Sequence, residues 1–163
     1  MSEPQWLTAE ERRAWLALWA VFFKLPGMLD SELNRLAKIT VFDYHVLAIL
    51  SEQPDRRLSM SDLAAKTSSS LSRLSHVVKK LEGREWVARC TSTVDARVTV
   101  ASLTDEGYRA VQDLAPPHVA SARRLMFDQL DDDDVADLAR VGRKIIAGLD
   151  ANHWIFRDEG VRE

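Results

Sequence analysis

A chain of 163 residues with 46% apolar content has the size and composition of one globular domain with appended helices, not of a disordered tail. No apolar run approaches the ~20 residues of a membrane-spanning helix, no basic-then-apolar leader opens the chain, and a single cysteine rules out an internal disulfide framework, so a cytoplasmic protein without membrane partners is expected. The net charge of −3 argues against a polyanion partner only until it is divided: residues 56–100 carry nine Lys/Arg against four Asp/Glu, leaving 13 cations and 21 anions elsewhere.

Thr8-Ala9-Glu10-Glu11 has capping-box spacing and opens an amphipathic helix with Trp15, Leu18, Trp19, Phe22, Leu25 and Leu29 on one broad face. Pro26-Gly27 is expected to end or kink it, with a shorter helical piece continuing through Leu33 and Leu36. A second helix is expected from 42 to 51, bounded by Gln53-Pro54-Asp55 and packing Val46, Leu47 and Leu50 inward. Ser59 with Asp62 caps a short helix, which Thr67-Ser68-Ser69-Ser70 breaks through local side-chain hydrogen bonding.

From Ser70 the next helix runs to about Glu82, with Leu71, Leu74, Val77, Val78 and Leu81 on one stripe. Its opposite face carries Ser69, Ser70, Ser72, Arg73, Ser75 and His76 first and Lys79 and Lys80 later. That order suits a helix whose first half meets base edges and whose second half meets phosphates. Two β-branched runs, 86–91 and 98–103, flank the turn Ser92-Thr93-Val94-Asp95-Ala96-Arg97 and read as a hairpin. Helix-turn-helix followed by hairpin is a winged helix-turn-helix. Asp95 and Arg97 stand at the wing tip, Arg97 being the side chain suited to a narrow, strongly negative minor groove. Thr104 then caps a helix that Pro116-Pro117 is expected to interrupt. Asp131 with Asp134 caps a last helix striped by Val135, Leu138, Ile145, Ile146 and Leu149. Residues 150–163 show no period and are expected to form a loose tail, with Trp154 and Phe156 as anchors.

The run Phe42-Asp43-Tyr44-His45-Val46-Leu47, with Leu63-Ala64, Leu71-Ser72-Arg73-Leu74, Lys80-Leu81-Glu82, Asp95-Ala96-Arg97 and Leu103-Thr104-Asp105-Glu106-Gly107, resembles the MarR family of small dimeric winged-helix repressors. The resemblance extends from Leu7 to about Leu149. Its most specific parts are the wing's Asp-x-Arg and the Leu-Thr-Asp-x-Gly that follows. Two positions depart from the family pattern: Ala96 replaces the glycine of Asp-Gly-Arg, and Glu85 stands where a glycine tends to precede the first wing strand. The resemblance implies repression, release by a ligand, and a cavity between the dimer helices and the winged unit that takes phenolic or other amphipathic anions.

The expected fold is therefore mainly α with a small β-hairpin wing: one domain over 8–149, its DNA-reading part 58–103, flanked by dimerisation helices in 8–37 and 104–149. The expected partners are double-stranded DNA and a second copy of the chain, and the resemblance adds a small aromatic or amphipathic effector. Trp15, Trp19, Phe22, Tyr44 and His45 read first as packing between helices, and are the candidates to line the implied cavity. Cys90 on a strand reads as a small buried hydrophobe. The four histidines form no ligand spacing, so no metal or other cofactor is expected. No phosphate loop or nucleophile elbow is present, and Ser72 with His76 lacks a third orienting group, so catalysis is not expected. The competing reading is a winged-helix module that docks another protein rather than DNA.

Overall fold

The computed structural model describes residues 4–156. Six helices and three short strands follow one another as α1 (Ala9–Ala37), α2 (Val41–Glu52), β1 (Arg57–Ser59), α3 (Met60–Lys66), α4 (Leu71–Glu82), β2 (Val87–Thr91), β3 (Thr99–Leu103), α5 (Asp105–Leu125) and α6 (Asp132–Leu149). Side-chain caps fix four helix starts, at the expected Thr8, Ser59 and Asp131 and also at Thr40, which sequence reading did not single out. Thr8 and Thr40 form reciprocal boxes with Glu11 and Asp43, Asp131 forms one with Asp134, and Ser59 accepts the amide of Asp62.

Neither Pro26 nor the Pro116-Pro117 pair ends its helix. α1 runs unbroken through Pro26 and α5 through Pro116 and Pro117. A proline removes one ladder bond and crowds the carbonyl four residues earlier. Here those carbonyls belong to Phe22, Gln112 and Asp113, all on exposed residues where water can take the missing donor's place.

The wing is also larger than a two-stranded ribbon. β1, ahead of α3, pairs antiparallel with β3, giving a three-stranded sheet in the order β1-β3-β2. Arg57 lies opposite Ser102, and Val87 opposite Leu103. Three residues make too weak a periodic signal to read as a strand. β2 is left at an edge with Val87 alone of its residues buried, so Cys90 is exposed rather than a buried hydrophobe.

The core sits inside the winged unit. Val46, Leu47 and Leu50 of α2 pack with Leu63 of α3, with Leu74, Val78 and Leu81 of α4, and with Val87 and Leu103 of the sheet. A smaller cluster of Leu33, Ile39, Tyr44 and Leu114 joins α1, α2 and α5. Outside these clusters the terminal helices are bare. Leu33 is the buried residue of α1 and α6 buries none, while Leu18, Val21 and Phe22 are 53%, 52% and 61% exposed and Leu138 and Ile145 are 45% and 48% exposed. A single protomer leaves these apolar faces in water, far more than isolated surface residues account for. No helix among the described residues is long and apolar enough to cross a membrane.

Candidate nucleic-acid interface

The turn before α4 shows why its serines cannot all be free to read DNA. Thr67, buried, caps α3 by donating its hydroxyl to Leu63 O, and shares a 2.9 Å hydrogen bond with Ser69 Oγ. Ser68 adopts φ 48°, turning the chain toward α4. Ser70 is the N-cap of α4, its hydroxyl accepting the amide of Arg73. Ser69 and Ser70 thus build the turn with their hydroxyls. Ser72, Arg73, His76 and Lys79 lie exposed along the outer face of α4, while Leu74, Val77, Val78 and Leu81 face the core. Ser75 is half-buried and accepts from Arg89 at 3.5 Å.

Arg73 packs its guanidinium over the ring of Phe42, 4.0 Å from the centroid. Such stacking orients the fork while leaving its edge free for bidentate bonding. Lys80 behaves differently from its neighbour. Its ammonium lies 2.5 Å from Oδ2 of Asp43, a carboxylate only 2% exposed. Arg89 is likewise held, 2.6 Å from Glu82.

The wing tip is built without a left-handed residue, which is how Ala96 is accommodated: the positive-φ residues described are Lys38, Arg56, Ser68 and Glu85. Ser92 closes the turn, its amide donating to Val98 O and its hydroxyl accepting from the amides of Val94 and Asp95. Asp95 accepts from the Arg97 amide at 2.9 Å and from the guanidinium through both carboxylate oxygens at 3.1 Å. The Arg97 side-chain bonds, then its amide, hold the Asp95 carboxyl below the usual carboxylate range. Arg97 remains 91% exposed. Asp95 is thus a brace for Arg97, and as an anion it is a poor neighbour for phosphate. Glu85 does occupy a glycine-like conformation, at φ 62°, where the helix-to-strand turn demands it.

Beneath the wing, the Leu-Thr-Asp-x-Gly segment has a clear steric role. Thr104 caps α5 by accepting the Gly107 amide at 3.0 Å, and donates its own amide and hydroxyl to Trp86 O and Glu85 O. A Cβ on Gly107 would stand 2.1 Å from Trp86 O. Glycine there lets the start of α5 touch the base of the wing.

The aromatic candidates divide into two groups. Trp15, Trp19, Phe22 and Phe23 form an edge-and-stack cluster along α1, with centroids 5.0–5.6 Å apart. Tyr44 and His45 instead line a cleft of about 480 Å³ with Val41, Phe42, Ala48, Arg73 and His118. Within one protomer the expected pocket residues Trp15, Trp19, Phe22, Tyr44 and His45 do not come together, because α2 turns Tyr44 toward α5, away from the α1 cluster. The partner that sequence reasoning missed is His118, its ring 4.4 Å from that of Tyr44. Its signal was present: His118 follows Val111 and Leu114, both buried, at helical spacing. Burial pushes the Tyr44 hydroxyl up and lowers both His45 and His118, with Glu52 and Glu32 respectively opposing the histidine shifts.

The tail is less loose than expected as far as residue 156. A 3-10 turn at Trp154–Phe156 brings His153 Nε2 to 3.1 Å from Ser68 Oγ and lays Trp154 under the Lys66 ammonium. The rest of the expected tail, 157–163, lies outside the described residues.

A capped helix pair, an exposed polar-to-basic helix and a three-stranded wing with a braced arginine at its tip define a winged helix-turn-helix protein. The MarR family model matches residues 39–99. Sco3205, a MarR family transcriptional regulator from Streptomyces coelicolor solved in complex with DNA, superposes with a TM-score of 0.88 at 39% identity, over 92% of this chain and 94% of that one. AbsC from the same organism does so with a TM-score of 0.86 at 36% identity, over 91% and all of the respective chains. The transcriptional repressor MprA of Escherichia coli is 25% identical over 66% of this chain, a match spanning 60% of that protein's length. The chain belongs to the MarR family.

Proposed function

We propose that this chain is a sequence-specific DNA-binding transcriptional regulator that acts as a homodimer, in the cytoplasm, on a pseudo-palindromic operator. The observation that carries the reading is the exposed array of Ser72, Arg73, His76 and Lys79 on α4 beside a braced, solvent-facing Arg97 on the wing. In a two-fold dimer, paired through the bare faces of α1 and α6, the two α4 helices enter successive major grooves roughly 34 Å apart. Arg73 reads guanine through O6 and N7, Lys79 meets phosphate, and Arg97 enters the minor groove. The acidic remainder of the chain keeps other faces off the polyanion.

Repression follows from occupying promoter DNA, and a ligand releases it. The Tyr44–His118 cleft supports a small aromatic, anionic effector: it has apolar walls, two imidazoles, a phenol and the Arg73 guanidinium at one side. Arg73 would then belong to both the cleft and the reading face. Selection from a random DNA library at a stated near-physiological salt concentration tests the core of the proposal. A two-fold symmetric motif is the expected result; binding with no enriched motif, or no binding, refutes sequence-specific regulation.

A further inference from the structure

Two cations of the basic stretch 56–100, Lys80 and Arg84, are paired within the protein rather than free. Lys80, in the last turn of α4, pairs with the buried Asp43, whose same oxygen accepts the Thr40 amide at 2.8 Å. Arg84, just past α4, donates to Ala37 O at 2.7 Å and Lys38 O at 3.3 Å, the last carbonyls of α1, with its guanidinium stacked over Trp86. Those carbonyls carry the partial negative charge of the helix end. The same corner is tied again by the Val41 amide, which donates to Asp30 of α1 at 2.5 Å. The end of the recognition helix is therefore fastened to the junction of α1 and α2. α1 is also the helix whose bare face awaits the second protomer.

Moving Lys80 to a phosphate would strand a buried carboxylate, which costs far more than a surface contact returns. Lys79, one residue away, has no ion pair among the described residues and faces solvent. We propose that Lys80 and Arg84 are positioning residues that latch α4 to the α1–α2 corner, so that dimer geometry sets recognition-helix spacing, and that neither neutralises phosphate. The inference rests on the DNA-binding reading given above.

The salt dependence of binding separates the two roles. A phosphate ligand occurs twice in a dimer, so losing it flattens the slope of log Kobs against log[salt] by about 1.8. Binding of the library-selected site and of random DNA is measured for the wild-type chain and for Lys79→Met, Lys80→Met, Arg84→Met, Asp43→Asn and Asp43→Asn/Lys80→Met. Lys80→Met and Arg84→Met are expected to weaken the selected site about tenfold, with an unchanged slope and little change on random DNA. Lys79→Met is expected to flatten the slope. Asp43→Asn is expected to mimic Lys80→Met, and the double variant to lose no more than either single one. A slope flattened by about 1.8 in Lys80→Met and Arg84→Met, or fully additive losses for Asp43→Asn and Lys80→Met, overturns the latch. Should Lys80→Met fail to fold, by circular dichroism, Arg84→Met carries the test alone, since it leaves Asp43 paired. Failure of the DNA-binding reading shows separately, as absence of a selected site for the wild-type chain.

Discussion

Replacing Gly107 by alanine isolates the contact between α5 and the base of the wing. The added methyl would lie 2.1 Å from Trp86 O and 2.8 Å from Leu103 Cδ1, so backbone must move; no flexible side chain can absorb the clash. Overpacking of this kind costs about 1–3 kcal/mol. The shift also loosens two hydrogen bonds, from the Thr104 amide to Trp86 O at 3.0 Å and from the Thr104 hydroxyl to Glu85 O at 2.7 Å. Each contributes about 1 kcal/mol. Alanine's better helix propensity returns about 1 kcal/mol, leaving a net loss of about 2–4 kcal/mol. For a chain of this size that lowers the melting temperature by roughly 4–16 °C. Thermal unfolding followed by circular dichroism at fixed protein concentration measures it, and Gly107→Ser should behave alike. A Gly107→Ala protein melting within about 2 °C of wild type, a shift below that range, would refute the steric reasoning.

Three further outcomes are expected. Arg73→Ala should relax sequence preference by about 1–3 kcal/mol at one base pair per half-site; equal losses on selected and random DNA would remove Arg73 from base reading. His45 and His118 both have folded pKa values depressed below 6.5, chiefly by burial. The unfolded chain therefore takes up their protons first, so stability is full above about pH 6.5 and falls as pH drops from there through the folded values. Denaturant titrations from pH 8 to 5 should show that decline, and a His45→Gln/His118→Gln protein should lack part of it; an identical decline in that variant contradicts the assignment. Finally, Val21 and Leu138 line an apolar groove of about 460 Å³ where α1 meets α5 and α6. Val21→Asp/Leu138→Asp should give a monomer by light scattering, since unpaired charge in an apolar interface is strongly disfavoured; a persistent dimer would mean the copies pair elsewhere.

Local chemistry made much of this protein legible in its sequence. The caps at Thr8, Ser59, Ser70, Thr104 and Asp131 act within four residues of themselves, so their partners are visible in the chain. The stripe through Leu74, Val78 and Leu81 likewise fixes which face of α4 looks outward, and with it Arg73 and Lys79. Asp95 and Arg97 are two residues apart, close enough to pair without help from the fold. What tertiary structure alone decided involves partners far apart in sequence. Asp43 and Lys80 are 37 residues apart and Arg84 and Ala37 are 47, and only the packing of α4 against the α1–α2 corner brings these pairs together. β1 became a strand because β3 offered it a ladder, and Tyr44 parted from the α1 tryptophans because α5 brought His118 to it. Prolines 26, 116 and 117 read as helix breakers by propensity, yet the helices continue through them, each orphaned carbonyl belonging to a residue exposed in the protomer. A sequence displays interactions that close over a few residues; those that close over tens of residues exist only once the core has chosen which surfaces meet.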